Sequence, residues 1–324
     1  MSALPMTLPE TVSVPATSWR KRLLTWGVAL VGVAVLVYFA RDLDPDAIVH
    51  SITHIDPLVG LAAALVMLVG KVGAKVVRSQ LLLVEECGRI GVAPPTWRVT
   101  ARLLVASHAA GQLAWGPLGF TVRTLALRDG GMPLLSVARV HVVERIAEAI
   151  GIAVIAVAVL VIAPDAVLGS WFGRILLGVL VAAALAGSVV GISRRLRSRL
   201  ARHAGAGRAL AKSTAWAFLS SLADVGVLVL VAHGMHVDVD LGAVLLAFLA
   251  VNGACAVPVT PAQLGVQESA IVVVFGAAGI AAPAALAVAL AYRAAHVLPL
   301  VLVGLPALLV TWMRRRPRIA KESV

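Results

Sequence analysis

Apolar residues recur along this chain in long runs, from residue 23 to residue 312, separated by short polar loops. A helix needs about 20 apolar residues, at about 1.5 Å each, to cross a hydrocarbon core of about 30 Å. The pattern predicts about six full spans, at 23–40, 57–80, 137–163, 171–192, 212–235 and 284–312. Two further apolar segments, 100–127 and 241–279, are interrupted at their centres by proline, glycine and polar residues. The expected fold class is therefore an all-α polytopic integral membrane protein.

The interrupted segments carry the unusual chemistry. VPVTPAQLGVQESA, residues 257–270, holds Pro258 and Pro261, then Gly265, then Glu268. Proline lacks the amide proton and disfavours helix in the residue before it, so the pair ends one half-helix. Gly265 permits a sharp turn, and QES begins the returning half-helix with an acid in its first turn. In lipid, non-helical backbone is tolerated only where protein or a water-filled cavity surrounds it, so the stretch reads as the tip of a re-entrant hairpin. AGQLAWGPLGFTVRTLAL, residues 109–126, has the same character, with Pro117 and Gly119 at the break and Arg123 shortly after.

Loop charge agrees with two re-entrant hairpins. WRKR at 19–22, RRLRSR at 194–199 with Arg202, Arg208 and Lys212, and RRRPR at 314–318 are basic, whereas the alternate loops carry Asp42, Asp44, Asp46, Asp56, Asp165, Asp238 and Asp240. All basic loops fall on the cytoplasmic side only if each broken segment enters and leaves by one face. The first hairpin then enters from the cytoplasm and the second from outside, with both termini cytoplasmic in the plasma (inner) membrane. Gly119 to Arg145 spans 26 residues and Gly265 to Arg293 spans 28, with three full spans between the hairpins. That is the pattern of an inverted repeat.

Several ionisable residues fall at membrane depth. After Glu148 the apolar run is only 15 residues, so its span must draw in part of HVVERIAE. His141, Glu144, Arg145 and Glu148 lie at i,i+3 and i,i+4 spacings along one side. Asp224 is near the middle of its span, and Arg293 lies near the midplane of the last span with His296 one turn on. Isolated charges at this depth are costly and should face the interior with partners. The expectation is that Arg145 and Arg293 meet Glu268, Glu148 or Asp224 around a central polar cavity; a headgroup site and structural ion pairs both remain open. His108 and Gln112 are further cavity candidates. Lys71, Lys75 and Arg78 line one helix face and are accounted for by snorkelling to headgroups.

Composition agrees with this layout: 60% of residues are hydrophobic and 14% charged. The net charge of +12 is explained by orienting loops that attract anionic headgroups, without nucleic acid. Residues 1–18 are expected to be disordered, 19–313 to form a single transmembrane domain, and 314–324 a basic cytoplasmic tail. The first apolar run is about twice a signal-peptide core, and VYFARDLDPD offers no small-x-small cleavage site, which predicts an uncleaved span. Cys87 and Cys255 are far apart, with no CxxC and no zinc spacing, so the expectation is two packed thiols and no metal. No HExxH, GxSxG or ATP-binding motif occurs, and VGKVG at 69–73 is not a phosphate-binding loop; no cofactor and no enzymatic activity are expected.

LAWGPLGFTVR at 113–123, VVERIAEAIGI at 142–152, VPVTPAQLGVQES at 257–269 and LAYRAAHVLPLVLVGL at 290–305, in that order, resemble the flippase-like transmembrane region of the lysylphosphatidylglycerol synthase family. Where the family usually has proline followed by Gly-Gly-Leu-Gly, this chain has GPLG. The resemblance implies movement of a lipid between leaflets, and carries over Gly119, Arg123, Glu144, Arg145, Pro258, Pro261, Gly265, Glu268 and Arg293 as candidates. Bifunctional members add a soluble aminoacyl-transfer domain; the sequence stops at Val324, so no synthesis of lysyl-lipid is expected. Expected partners are membrane lipids with an anionic, aminoacylated or glycosylated headgroup. A membrane scaffold for lipid-synthesis enzymes is the alternative, and an intramembrane transferase a further one.

Overall fold

A computed structural model describes residues 56–113, 116–162, 204–255, 263 and 265–313. The expected N-terminal segment, the spans at 23–40 and 171–192, the loop at 194–199, Pro258 and Pro261, and the tail from 314 lie outside these residues. Among the described residues every regular element is helical. In chain order they are α1 (Pro57–Ile90), α2 (Trp97–Leu113), α3 (Gly116–Asp129), α4 (Leu134–Ile162), α5 (Ala204–Gly234), α6 (Leu241–Cys255), α7 (Val266–Ala277) and α8 (Ala282–Met313).

Local sequence explains the boundaries. Asp56 caps α1, its carboxylate accepting the Leu58 N–H at 2.8 Å, with Pro57 at the first helical position, where a missing N–H costs nothing. The helix stops at Gly91, whose positive φ of 71° suits the left-handed cap. Its turn widens to π-helix over Val66–Val72, a stretch that holds Lys71. At α6 the Asp240 carboxylate accepts the Ala243 N–H at 2.9 Å.

Among the described residues four helical stretches are long and apolar enough to cross a membrane: Pro57–Ile90, Leu134–Ile162, Arg208–Gly234 and Ala282–Val310. They coincide with four of the expected spans. Leu58, Val161, Leu298 and Leu302 on these helices are exposed, as side chains facing lipid must be. This is an integral membrane protein.

The two interrupted segments are each a pair of short helices packed on one another, α2 with α3 and α6 with α7. With 15 residues in α6 and 12 in α7, neither is long enough to cross a bilayer alone. Residues Gly242–Val251 of α6 are buried without interruption, which is why this helix is apolar on every face. It packs against α4, α5 and α7. The main core gathers Val227 and Leu228 of α5, Phe248 of α6, Phe275 of α7 and Tyr292 of α8. Helix α8 runs along both α2 and α7 and so links the two pairs.

The first break differs from its expected position. Helix α2 runs to Leu113 and α3 begins at Gly116, so Pro117 lies in the first turn of α3 and Gly119 lies inside that helix. Gly119 is needed for a different reason than turning: a Cβ there would collide with the Ser107 carbonyl oxygen and lie 3.2 Å from the Gly111 nitrogen. The glycine lets the two backbones of the first pair touch. At the second break the expectation holds, because Gly265 has φ 80° and α7 starts at the next residue.

Candidate functional site

Among the described residues, two buried polar clusters gather most of the candidate side chains. In the first, the Arg123 guanidinium on α3 donates to both oxygens of Glu144 on α4, at 2.7 and 2.8 Å, and also to the Ser79 hydroxyl on α1. All three are buried, and the paired fork satisfies both carboxylate oxygens. His141, one turn before Glu144, brings Nδ1 to 3.6 Å from it, with the Phe120 ring against the imidazole. One turn after Glu144, Glu148 accepts from Arg78 of α1 at 2.7 Å and from Arg145 at 2.9 Å, with the Lys75 ammonium at 3.7 Å.

These groups line a cavity of about 210 Å³. Gly111 and Gln112 of α2 and Gly119 of α3 border it from the first helix pair, and Gln263 reaches it from the break of the second. Gln263 is held there by a hydrogen bond from its amide nitrogen to the Cys255 carbonyl at 3.1 Å and by a positive φ of 56°. The first helix pair and the break of the second therefore border one cavity. Four bases, Lys75, Arg78, Arg123 and Arg145, face two carboxylates, Glu144 and Glu148, so the lining carries a basic surplus.

The second cluster joins α1, α5, α7 and α8. Asp224 accepts from Lys71 at 2.6 Å through one oxygen. Its other oxygen takes the Tyr292 hydroxyl at 2.8 Å and faces His296 Nε2 at 2.6 Å. His296 Nδ1 lies 2.8 Å from the Tyr292 carbonyl, an acceptor only, so Nδ1 carries a proton. Beside it, Arg293 pairs with Glu268, and the other Glu268 oxygen accepts the Gly265 N–H at 2.9 Å. Glu268 thus caps its own helix and neutralises an arginine of the next one.

The model of the lysylphosphatidylglycerol synthase transmembrane region matches residues 24–304. The chain belongs to this family. No curated protein matches the sequence. The match spans both helix pairs and both polar clusters of this lysylphosphatidylglycerol synthase-type membrane region.

Most candidate residues are brought together, in two groups. Arg123, Glu144, Arg145 and Glu148 border the cavity, as do His108 and Gln112. Asp224, Glu268, Arg293 and His296 form the second cluster. The expected pairs Arg145–Glu148 and Arg293–Glu268 both occur. Asp224 binds neither arginine but Lys71 and His296.

Two readings of the sequence are corrected. Arg145 is not buried with its neighbours: its side chain is 82% exposed, at the edge of the cavity, where it pairs with Glu148. Lys71, Lys75 and Arg78 do not snorkel outward, because each turns into the bundle to meet Asp224 or Glu148. Tyr292, Ser79 and the cavity position of Gln263 carried no signal beyond being polar in an apolar run. The cysteines are both free, Cys87 buried and Cys255 half-buried.

Proposed function

We propose that this protein is a lipid translocator of the plasma membrane, moving a polar-headgroup lipid between leaflets through the cavity shared by its two hairpins, and that it has no catalytic activity of its own. The observation that carries this reading is Gln263 of the second break lining the same charged cavity as Gly111, Gln112 and Gly119 of the first pair. Short helix pairs that enter and leave by one face supply such a meeting point, and acyl chains can stay in lipid while the headgroup crosses the polar groove. An inverted repeat is supported by the matched ion pairs: Arg123 to Glu144 and Glu268 to Arg293 each join the second helix of a pair to the long helix that follows. Membership of the family supports a lipid-related role.

A scaffold for lipid-synthesis enzymes is favoured by one fact, that Arg123–Glu144 and Arg293–Glu268 are closed pairs of the kind that merely hold helices together. The two readings part in liposomes holding a fluorescent phospholipid whose outer-leaflet fraction is bleached by a membrane-impermeant reductant. A translocator raises the bleached fraction above one half in reconstituted vesicles, and Glu268→Ala with Arg123→Ala returns it to one half. Bleaching that stops at one half with the wild-type protein refutes translocation.

A further inference from the structure

Arg78 is only 4% exposed, yet only Nη2 of its guanidinium has an acceptor, Glu148. Among the described residues no acceptor reaches its buried Nε and Nη1. A buried charged donor without an acceptor is destabilising, and arginine suits oxyanions because its planar group offers several fixed N–H donors. Arg78 lines the cavity, beside Lys75. The carboxylates that could serve the guanidinium further are already engaged, Glu144 by Arg123 and Glu148 by Lys75 and Arg145 besides Arg78 itself.

We infer that Arg78, which lines the cavity bordered by both helix pairs, turns its two free donors to the phosphate oxygens of a phospholipid whose headgroup carries net negative charge. This rests on the translocator reading and narrows its cargo. A phosphodiester carries one negative charge spread over two oxygens, and it offsets the surplus of Lys75, Arg78 and Arg123 over two carboxylates that remains once the exposed Arg145 is set aside. A headgroup with an added ammonium would enter the same surplus with no carboxylate left to receive it. A sugar headgroup lacking phosphate would leave the Arg78 donors with weaker neutral acceptors.

The test is thermal unfolding of the full chain in neutral detergent, with phosphatidylglycerol, phosphatidylcholine, a diglucosyl diacylglycerol of the same acyl chains, or inorganic phosphate added. Phosphatidylglycerol is expected to protect the wild type at concentrations about tenfold or more below those at which the other two lipids act. Arg78→Gln should abolish that preference. Arg78→Lys, which keeps a cation for Glu148 but not the fork of donors, should weaken it without unfolding the protein. Equal protection by all three lipids, or full preference retained in Arg78→Lys, overturns the inference. Protection by inorganic phosphate equal to that by phosphatidylglycerol makes the site one for a free anion and overturns the lipid source. The bleaching assay fails or succeeds separately: preference without translocation refutes the transport reading and leaves the seat standing, whereas translocation indifferent to Arg78 does the reverse.

Discussion

The Arg123–Glu144 pair permits a worked energetic prediction. Both side chains are buried and joined by two hydrogen bonds of 2.7 and 2.8 Å. Arg123→Met leaves Glu144 with His141 Nδ1 at 3.6 Å. Glu144→Leu leaves Arg123 with the Ser79 hydroxyl. Each single change strands a buried charge and should cost about 3–5 kcal/mol. The double variant strands neither, and an apolar pair of similar volume in place of a buried ion pair is often neutral or better by about 1–4 kcal/mol. The coupling in a double-mutant cycle should therefore exceed about 3 kcal/mol. Unfolding of the purified protein by an anionic detergent titrated into neutral micelles measures all four corners. Arg145→Ala is the control, because a side chain that is mostly exposed and pairs with Glu148, not with either member of this pair, should shift stability by no more than about 0.5 kcal/mol. Additivity of the two single changes within about 0.5 kcal/mol would refute the claim that these residues answer each other.

Two further outcomes follow from the same coordinates. Gly119→Ala should destabilise the protein by about 1–3 kcal/mol, since the new methyl meets the backbone of Ser107 and Gly111, which cannot rotate away. Gly88→Ala, on α1 with open space around it, should be neutral or stabilising by up to about 1 kcal/mol, and equal effects of the two in the same titration would disprove the close approach. Glu268→Gln keeps an acceptor for the Gly265 N–H but loses the charge facing Arg293, whereas Glu268→Ala loses both. The alanine variant should therefore be the less stable by a further 0.5–2 kcal/mol or so, and indistinguishable melting of the two would remove the capping role.

What could be read from sequence divides along physical lines. Long apolar runs announce helices, and the four described spans follow those runs because a bilayer demands length and little else. Gly265 and Glu268 were legible because turning and capping are local acts settled within a few residues. The direction of a charge was not local. Lys71, Lys75 and Arg78 repeat at i, i+4 and i+7, which suits outward snorkelling and inward pairing alike, and only Asp224 on α5 and Glu148 on α4 decide between them. Arg145 was placed on the inner face with its neighbours, but the buried and half-buried set is His141, Glu144 and Glu148, at i, i+3 and i+7; the residue after Glu144 is turned about 100° away by a helix of 3.6 residues per turn. Gly119 was assigned to a turn because glycine signals turning and close contact with the same letter.

The reversed sign of the two matched ion pairs has a local cause, and the cause bears on where an anion can bind. Helix α7 begins at a break with its free amide groups, and Glu268 in its first turn answers one of them through the Gly265 N–H. An acid is favoured there by the helix dipole, so the partner on α8 must be the base, Arg293. Helix α3 has Pro117 in its first turn, a residue with no N–H to satisfy, and its charged residue Arg123 lies well past that turn. Here the base sits on the hairpin, and the acid lies on the long helix as Glu144. The second half spends its carboxylates on a cap, an arginine, a lysine and a histidine. In the first half neither Glu144 nor Glu148 is tied to a cap, yet together they must answer Lys75, Arg78, Arg123 and Arg145. The donors left over on Arg78 therefore arise in the first half alone, and a phosphate crossing the shared cavity should dwell on that side of it.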